Sequence, residues 1–196
     1  MSNHKNGFTM IELVIALALL GLISTAFFTL FNSTFFGYLD LQKQASSTTQ
    51  LSVQTARLSD VLRSLISIEL AKDNELTIYA YFYPSDAYTS RIHYYLVTNG
   101  AYRQLKADLT PMDGNPPTGQ LLTNQTKTYS LVDNYYLPAG KTLFTYYNGF
   151  NAQLTTPITD FGAVKSIAIQ LAAKNDGHPD EQMNLQVTLR NRKTNL

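Results

Sequence analysis

The chain has no cysteine and no tryptophan. Without cysteine no disulfide can staple a loop, so any exported part must hold together by packing alone. No proline occurs before Pro84, so nothing in that stretch forces a helix to break. No charged residue lies between Leu13 and Leu39, a run of 27 residues. Beyond Leu39 the charges nearly cancel, 14 Lys and Arg against 13 Asp and Glu. That balance leaves no basic block for nucleic acid and no acidic tail for a cationic partner.

What the chain does have is an oily beginning. Leu13–Phe31 holds twelve Leu, Ile, Val or Phe residues, including Leu13, Val14, Ile15, Leu17, Leu19, Leu20, Leu22 and Ile23. Near the centre of a membrane these supply roughly −4 to −7 kcal/mol for insertion. One ionised Glu12 at the edge subtracts at most about 3 kcal/mol, so the segment still inserts. As a helix, Leu13–Leu39 spans ~40 Å against a hydrocarbon core of about 30 Å. Lys5 precedes the span, which keeps that end in the cytoplasm and exports everything after about Asp40.

Just before this run stands Gly7-Phe8-Thr9-Met10-Ile11-Glu12. It resembles the processing and assembly signal of type IV pilins and pseudopilins: a short basic leader ending in Gly, then Phe, then Glu four residues on. The resemblance implies cleavage after Gly7 by prepilin peptidase and N-methylation of the new terminal Phe8. It further implies that Glu12 of an incoming subunit neutralises the Phe8 amine of its neighbour during filament assembly. An ionisable group in hydrocarbon calls for such a partner; the plainer alternative is a carboxylate reaching back to the headgroups. The implied partners are other pilin or pseudopilin subunits, the peptidase, an inner-membrane assembly platform and, before assembly, the membrane. No nucleic-acid partner and no cofactor is expected.

Two other readings of the terminus compete. A secretory signal peptide would use Leu13–Ile23 as its apolar core and Ser24-Thr25-Ala26 as its cleavage site. Glu12 interrupts that pattern, and the apolar run continues through Phe27, Phe28, Leu30 and Phe31. A permanent, uncleaved anchor leaves the motif unexplained.

The expected organisation is a leader over 1–7, a transmembrane and filament-core helix over 8–39, an amphipathic helix over 40–72, and a β-rich head over 73–196. The helix is expected to run to about Leu70. Many family members melt their helix between a glycine and a following proline; here Thr29 stands at the proline's place, so no melting is expected. Leu51, Leu58, Val61, Leu62, Leu65 and Ile66 recur at three- and four-residue steps and form one apolar stripe. Arg57, Asp60 and Arg63 fall largely on the other side, with Asp60 near enough to Arg57 to pair. The polar stretch from Gln42 to Gln54 is either a flexible neck or an ordinary solvated helix face.

After Asn74 the period turns to alternation. Glu75–Tyr83, Arg91–Val97, Tyr102–Leu105, Thr128–Val132, Thr142–Tyr147, Val164–Leu171 and Leu185–Leu189 read as strands. Asn99-Gly100 marks a hairpin, Asn148-Gly149 a second with a poorly marked return strand, and Pro111–Gly119 a surface loop. Thirteen tyrosines and ten phenylalanines suit a β-rich body. The expected fold is therefore α+β: a long N-terminal helix packed on an antiparallel β-sheet, the shape the pilin resemblance also implies. Arg91-Ile92-His93-Tyr94-Tyr95-Leu96 with Tyr102-Arg103, and Val187-Thr188-Leu189-Arg190-Asn191, resemble J-type minor pseudopilins of type II secretion. The missing cysteine departs from many Gram-negative pilins, which staple a C-terminal loop, and so points away from a major pilin.

No catalytic set emerges and no enzyme is expected. His4 lies in the leader, His93 in a strand and His178 in a loop, with no nucleophile elbow, phosphate loop or zinc spacing. Asp176, Asp180 and Glu181 gather oxygen ligands on a turn and form a weak calcium candidate, for which a plain β-turn is the simpler account. Asp108–Asp113 is weaker still. Asn32-Ser33-Thr34 and Asn124-Gln125-Thr126 fit a glycosylation pattern that a bacterial prepilin would not use. A reading of a different class is a membrane-tethered adhesin or DNA-uptake module, with Arg190, Arg192 and Lys193 against phosphates.

Overall fold

A computed structural model describes residues 9–100, 102–174 and 180–189. The chain divides into two compact units, one ending at Ala45 and the other running from Ser46. A single helix, α1 (Met10–Arg63), contributes to both. It is unbroken through Gly21, Thr29 and the polar stretch 42–54, as the lack of proline allows.

The second unit is an antiparallel sheet of eight strands against the C-terminal part of α1. They are β1 (Ser67–Ala71), β2 (Glu75–Ala80), β3 (Ser90–Asn99), β4 (Tyr102–Pro111), β5 (Lys127–Tyr135), β6 (Phe144–Tyr147), β7 (Ser166–Ala173) and β8 (Glu181–Thr188). The first five form a meander; β7 then joins β5, carries β6 beside it, and pairs with β8. Leu51, Leu58, Val61 and Leu62 of α1 share one buried cluster with Ile78, Ile92, Tyr94, Leu105, Phe144 and Ile167. This is the expected α+β arrangement, held by alternate strand residues turned to the helix stripe.

The helix ends earlier than the periodicity suggests. Ser64 Oγ accepts from the Tyr81 amide at 3.2 Å and donates to the Tyr81 carbonyl at 3.0 Å, which draws the chain onto the sheet. The Ile66 amide then donates to the Tyr79 carbonyl, and Ser67–Ala71 continues as β1. Ile68 and Ala71 are buried there. The expected amphipathic helix over 40–72 is thus helical only to Arg63, and the sheet begins at Ser67 rather than 73. Leu65 and Ile66 mimic a further helical turn because their three- and four-residue spacing from Leu62 happens to continue the stripe.

Arg57 also departs from expectation. Asp60 lies 3.9 Å from Arg63 rather than pairing with Arg57. The Arg57 guanidinium instead sits 4.1 Å over the Phe82 ring, with Tyr83 and Tyr129 at 5.2 and 5.8 Å. A cation over the negative face of an aromatic ring gains more than a solvated ion pair does.

Turns follow their chemistry. Asn99 pairs with Tyr102 across the β3–β4 turn, where Gly100 takes φ +61°, a region open to glycine. Asn148 Oδ1 accepts from the amides of Phe150 and Ala152, and the return strand reduces to one bridge, Tyr147 to Gln153. The loop after β4 folds back on itself: a Cβ on Gly119 would lie 1.9 Å from the Gly114 carbonyl oxygen. Asn115 anchors that loop, accepting from the Thr89 amide and donating to the Tyr81 hydroxyl.

Candidate functional site

The N-terminal end of α1 carries the chemistry that the sequence singles out. Gly7 and Phe8 lie outside the described residues. Thr9 is the residue before the helix, and Glu12 sits in the first turn. The Thr9 amide and hydroxyl both donate to Glu12 Oε2, at 2.9 and 2.8 Å, and the Glu12 amide donates to Thr9 Oγ1 at 3.4 Å. This is a reciprocal capping box: each side chain satisfies a backbone donor that the helix leaves orphaned. The partial positive charge of the helix N-terminus also favours a carboxylate there. The Thr-x-x-Glu spacing before an apolar run is a readable signal for this cap, one that the motif reading passes over.

From Leu13 to Leu39, α1 carries no charge and exposes apolar residues on every side. Leu13, Val14, Ile15, Leu17, Leu19, Leu20, Leu22 and Ile23 are each between 53% and 69% exposed. A helix with apolar residues all round is at home in lipid or among other helices, not in water. Met10–Leu39 is long and apolar enough to cross a membrane. Two of its hydroxyls are satisfied internally: Thr25 Oγ1 donates to the Gly21 carbonyl and Thr29 Oγ1 to the Thr25 carbonyl, both at 2.7 Å. Phe27, Phe31 and Phe35 stack along one face at 6.5 and 5.8 Å.

The remaining candidates scatter over the head. Asp180 Oδ2 holds Lys174 Nζ at 3.0 Å, Glu181 opens β8, and Asp176 lies outside the described residues. Among the described residues no three His, Asp or Glu side chains gather as metal ligands would. His93 donates from Nε2 to Glu75 Oε1 at 2.9 Å and stacks on Tyr95 at 4.9 Å. Lys72 reaches the other oxygen of Glu75 at 2.8 Å and holds that carboxyl below its ordinary pKa. Arg190, Arg192 and Lys193, the phosphate-contact candidates, also lie outside the described residues.

Among curated proteins none matches the chain at a significant level. Residues 2–28 match the family model described as the prokaryotic N-terminal methylation motif. The match covers the leader, the capping box and most of the apolar run, and stops short of the head domain. It supports a prepilin-type chain of the type IV pilin and pseudopilin class, processed by prepilin peptidase.

Proposed function

We propose that the chain is a minor pilin or pseudopilin, a structural subunit of a type IV pilus or type II secretion-like filament. It waits in the cytoplasmic membrane with its N-terminus inside and its head outside. Prepilin peptidase cuts after Gly7, Phe8 becomes the methylated terminus, and the assembly platform draws the helix out of lipid. Glu12 then neutralises the Phe8 amine of a neighbouring subunit, while Leu13 through Ile23 pack against neighbouring helices. The filament carries the head outside the cytoplasmic membrane, in the periplasm or beyond.

The observation that carries this reading is a helix tip with one carboxylate on an otherwise apolar rod, within a matched methylation motif. Storage in lipid and burial among like helices use the same surface, so one segment serves both states. The absence of cysteine favours a minor over a major subunit. The likeness of Arg91–Leu96 and Val187–Asn191 to J-type pseudopilins favours the secretion branch.

Mass spectrometry of the protein from its native membrane tests the reading. The expected chain begins at Phe8 and carries an added methyl group. A chain still beginning at Met1, or trimmed to Phe27, overturns it.

A further inference from the structure

The sheet has three ends, and they are finished differently. At β1 the register slips between Ile68 and Leu70, and the Ile158 amide caps the Ala71 carbonyl. Along β6, the Phe144 amide donates to the Asp73 carbonyl and the Leu154 amide to the Tyr146 carbonyl. A bulge and a covering segment are two of the ways by which sheets close their edges. β8 has neither. It pairs with β7 in unbroken register from Glu181–Ala173 to Thr188–Ser166. Among the described residues, no strand pairs with its outer side, and no further backbone hydrogen bond is made there from Gln182 to Thr188.

Apart from Glu181 at its first position, the side chains of β8 do not guard it either. From Gln182 to Thr188 there is no charge and no proline. Gln182, Asn184, Gln186 and Thr188 face solvent, while Met183 and Leu185 are half-buried on the α1 side. Beside Met183 and Leu185 runs a groove of about 350 Å³ whose other wall is α1: Ser52, Thr55, Ala56 and Ser59, with the charged Asp60 and Arg63 beyond them. Small residues on that wall leave room for additional side chains.

We infer that β8 is a docking edge for one extended segment of another polypeptide, added as a ninth strand. The open backbone row dictates an extended partner. The groove dictates small apolar side chains at the positions turned to α1, and the neutral amides dictate uncharged polar ones on the opposite face. Protection of the β8 amides on concentrating the chain without peptide would mark a second copy as the occupant and overturn the inference. The inference stands apart from the filament reading, because a tethered receptor would present the same edge.

The test uses the full chain in detergent micelles and a synthetic peptide alternating valine or alanine with threonine. Hydrogen exchange of the β8 amides is followed as peptide is added up to millimolar concentration. The outward-pointing amides between Met183 and Thr188 slow, and a peptide N-methylated at alternate residues has no effect. Ala56→Leu fills the groove from an exposed helix position and weakens binding by about tenfold or more. Unchanged exchange at the highest concentration overturns the inference. So does equal protection by the N-methylated peptide, since that binding would not use the backbone edge.

Discussion

Thr9 and Glu12 hold each other: two donors of Thr9 meet one carboxylate oxygen of Glu12, and the Glu12 amide returns to the Thr9 hydroxyl. Glu12 therefore has a local task, starting the helix, besides the intermolecular one proposed for it. The two tasks separate by substitution. Glu12→Gln retains an oxygen for the cap but no charge for an amine; Glu12→Val removes both. Both variants should be processed at Gly7, and both should assemble poorly if charge pairing sets the register. Thr9→Ala should cost the cap about 1 kcal/mol and still assemble. Mass spectrometry reads processing and the yield of sheared filament reads assembly. Normal assembly of Glu12→Gln would assign the carboxylate to capping alone.

Arg57 is expected to matter for the head through its rings rather than through an ion pair. It lies over Phe82, and its Nη2 is buried without a hydrogen-bond partner. Arg57→Ala should lower stability by about 1–2 kcal/mol, from the lost cation–π contact and the lost packing of the stem. Arg57→Met, which keeps the stem, should lose less. Asp60→Ala should change the denaturation midpoint little, because its contact with Arg63 is long and exposed on both sides. Denaturant titration followed by circular dichroism separates the three.

How far the sequence led depends on which physics set each element. β3 and β7 could be read nearly whole, since alternating Ile, Tyr and Leu residues act locally; of β4 (Tyr102–Pro111) only Tyr102–Leu105, beside the Asn-Gly turn, could be. β1 could not, because Leu65, Ile66 and Ile68 continue a helical spacing and only the tie between Ser64 and Tyr81 turns the chain. Arg57 was equally hidden: its ring partners lie 25 to 72 residues away in the sequence. At the site, Glu12 and the apolar run stood out, yet the same Glu12 was missed as a capping residue. An assembly motif and a helix cap use one residue type at one spacing, so the sequence alone does not separate the two roles.

Acid should loosen the outer face of the sheet through Glu69. Its carboxylate takes two hydrogen bonds from Arg91, both 2.7 Å, which hold its pKa below the ordinary 4.5. A carboxyl whose folded pKa is depressed contributes stability above its unfolded pKa and loses it as pH falls through the folded one. Glu75, held down by Lys72 and then His93, acts in the same direction. The melting temperature should therefore fall on acidification from about pH 5 downward. Glu69→Gln should start lower at neutral pH and show a shallower decline. Thermal melts across that range check both; parallel curves would remove Glu69 from the account.

The turn between β1 and β2 is pinned from the far side of the sequence. Tyr146 OH donates to the Lys72 carbonyl at 2.8 Å, the Phe144 amide to the Asp73 carbonyl at 2.8 Å, and the Leu143 amide to Asn74 Oδ1 at 3.2 Å. Thr156 Oγ1 adds a hydrogen bond to Asp73. Burial drives the Tyr146 phenol far above its usual pKa, so the hydroxyl stays a donor at any working pH. Tyr146→Phe keeps the ring in the core but leaves the Lys72 carbonyl without that donor, at a cost of about 1–2 kcal/mol. Asn74→Ala should cost a similar amount at the neighbouring contact. Because both act on one turn, the double variant should lose less than the sum of the singles. Denaturation midpoints of the four proteins complete the cycle. Strict additivity would mean that β6 grips the turn at two independent points rather than as one clamp.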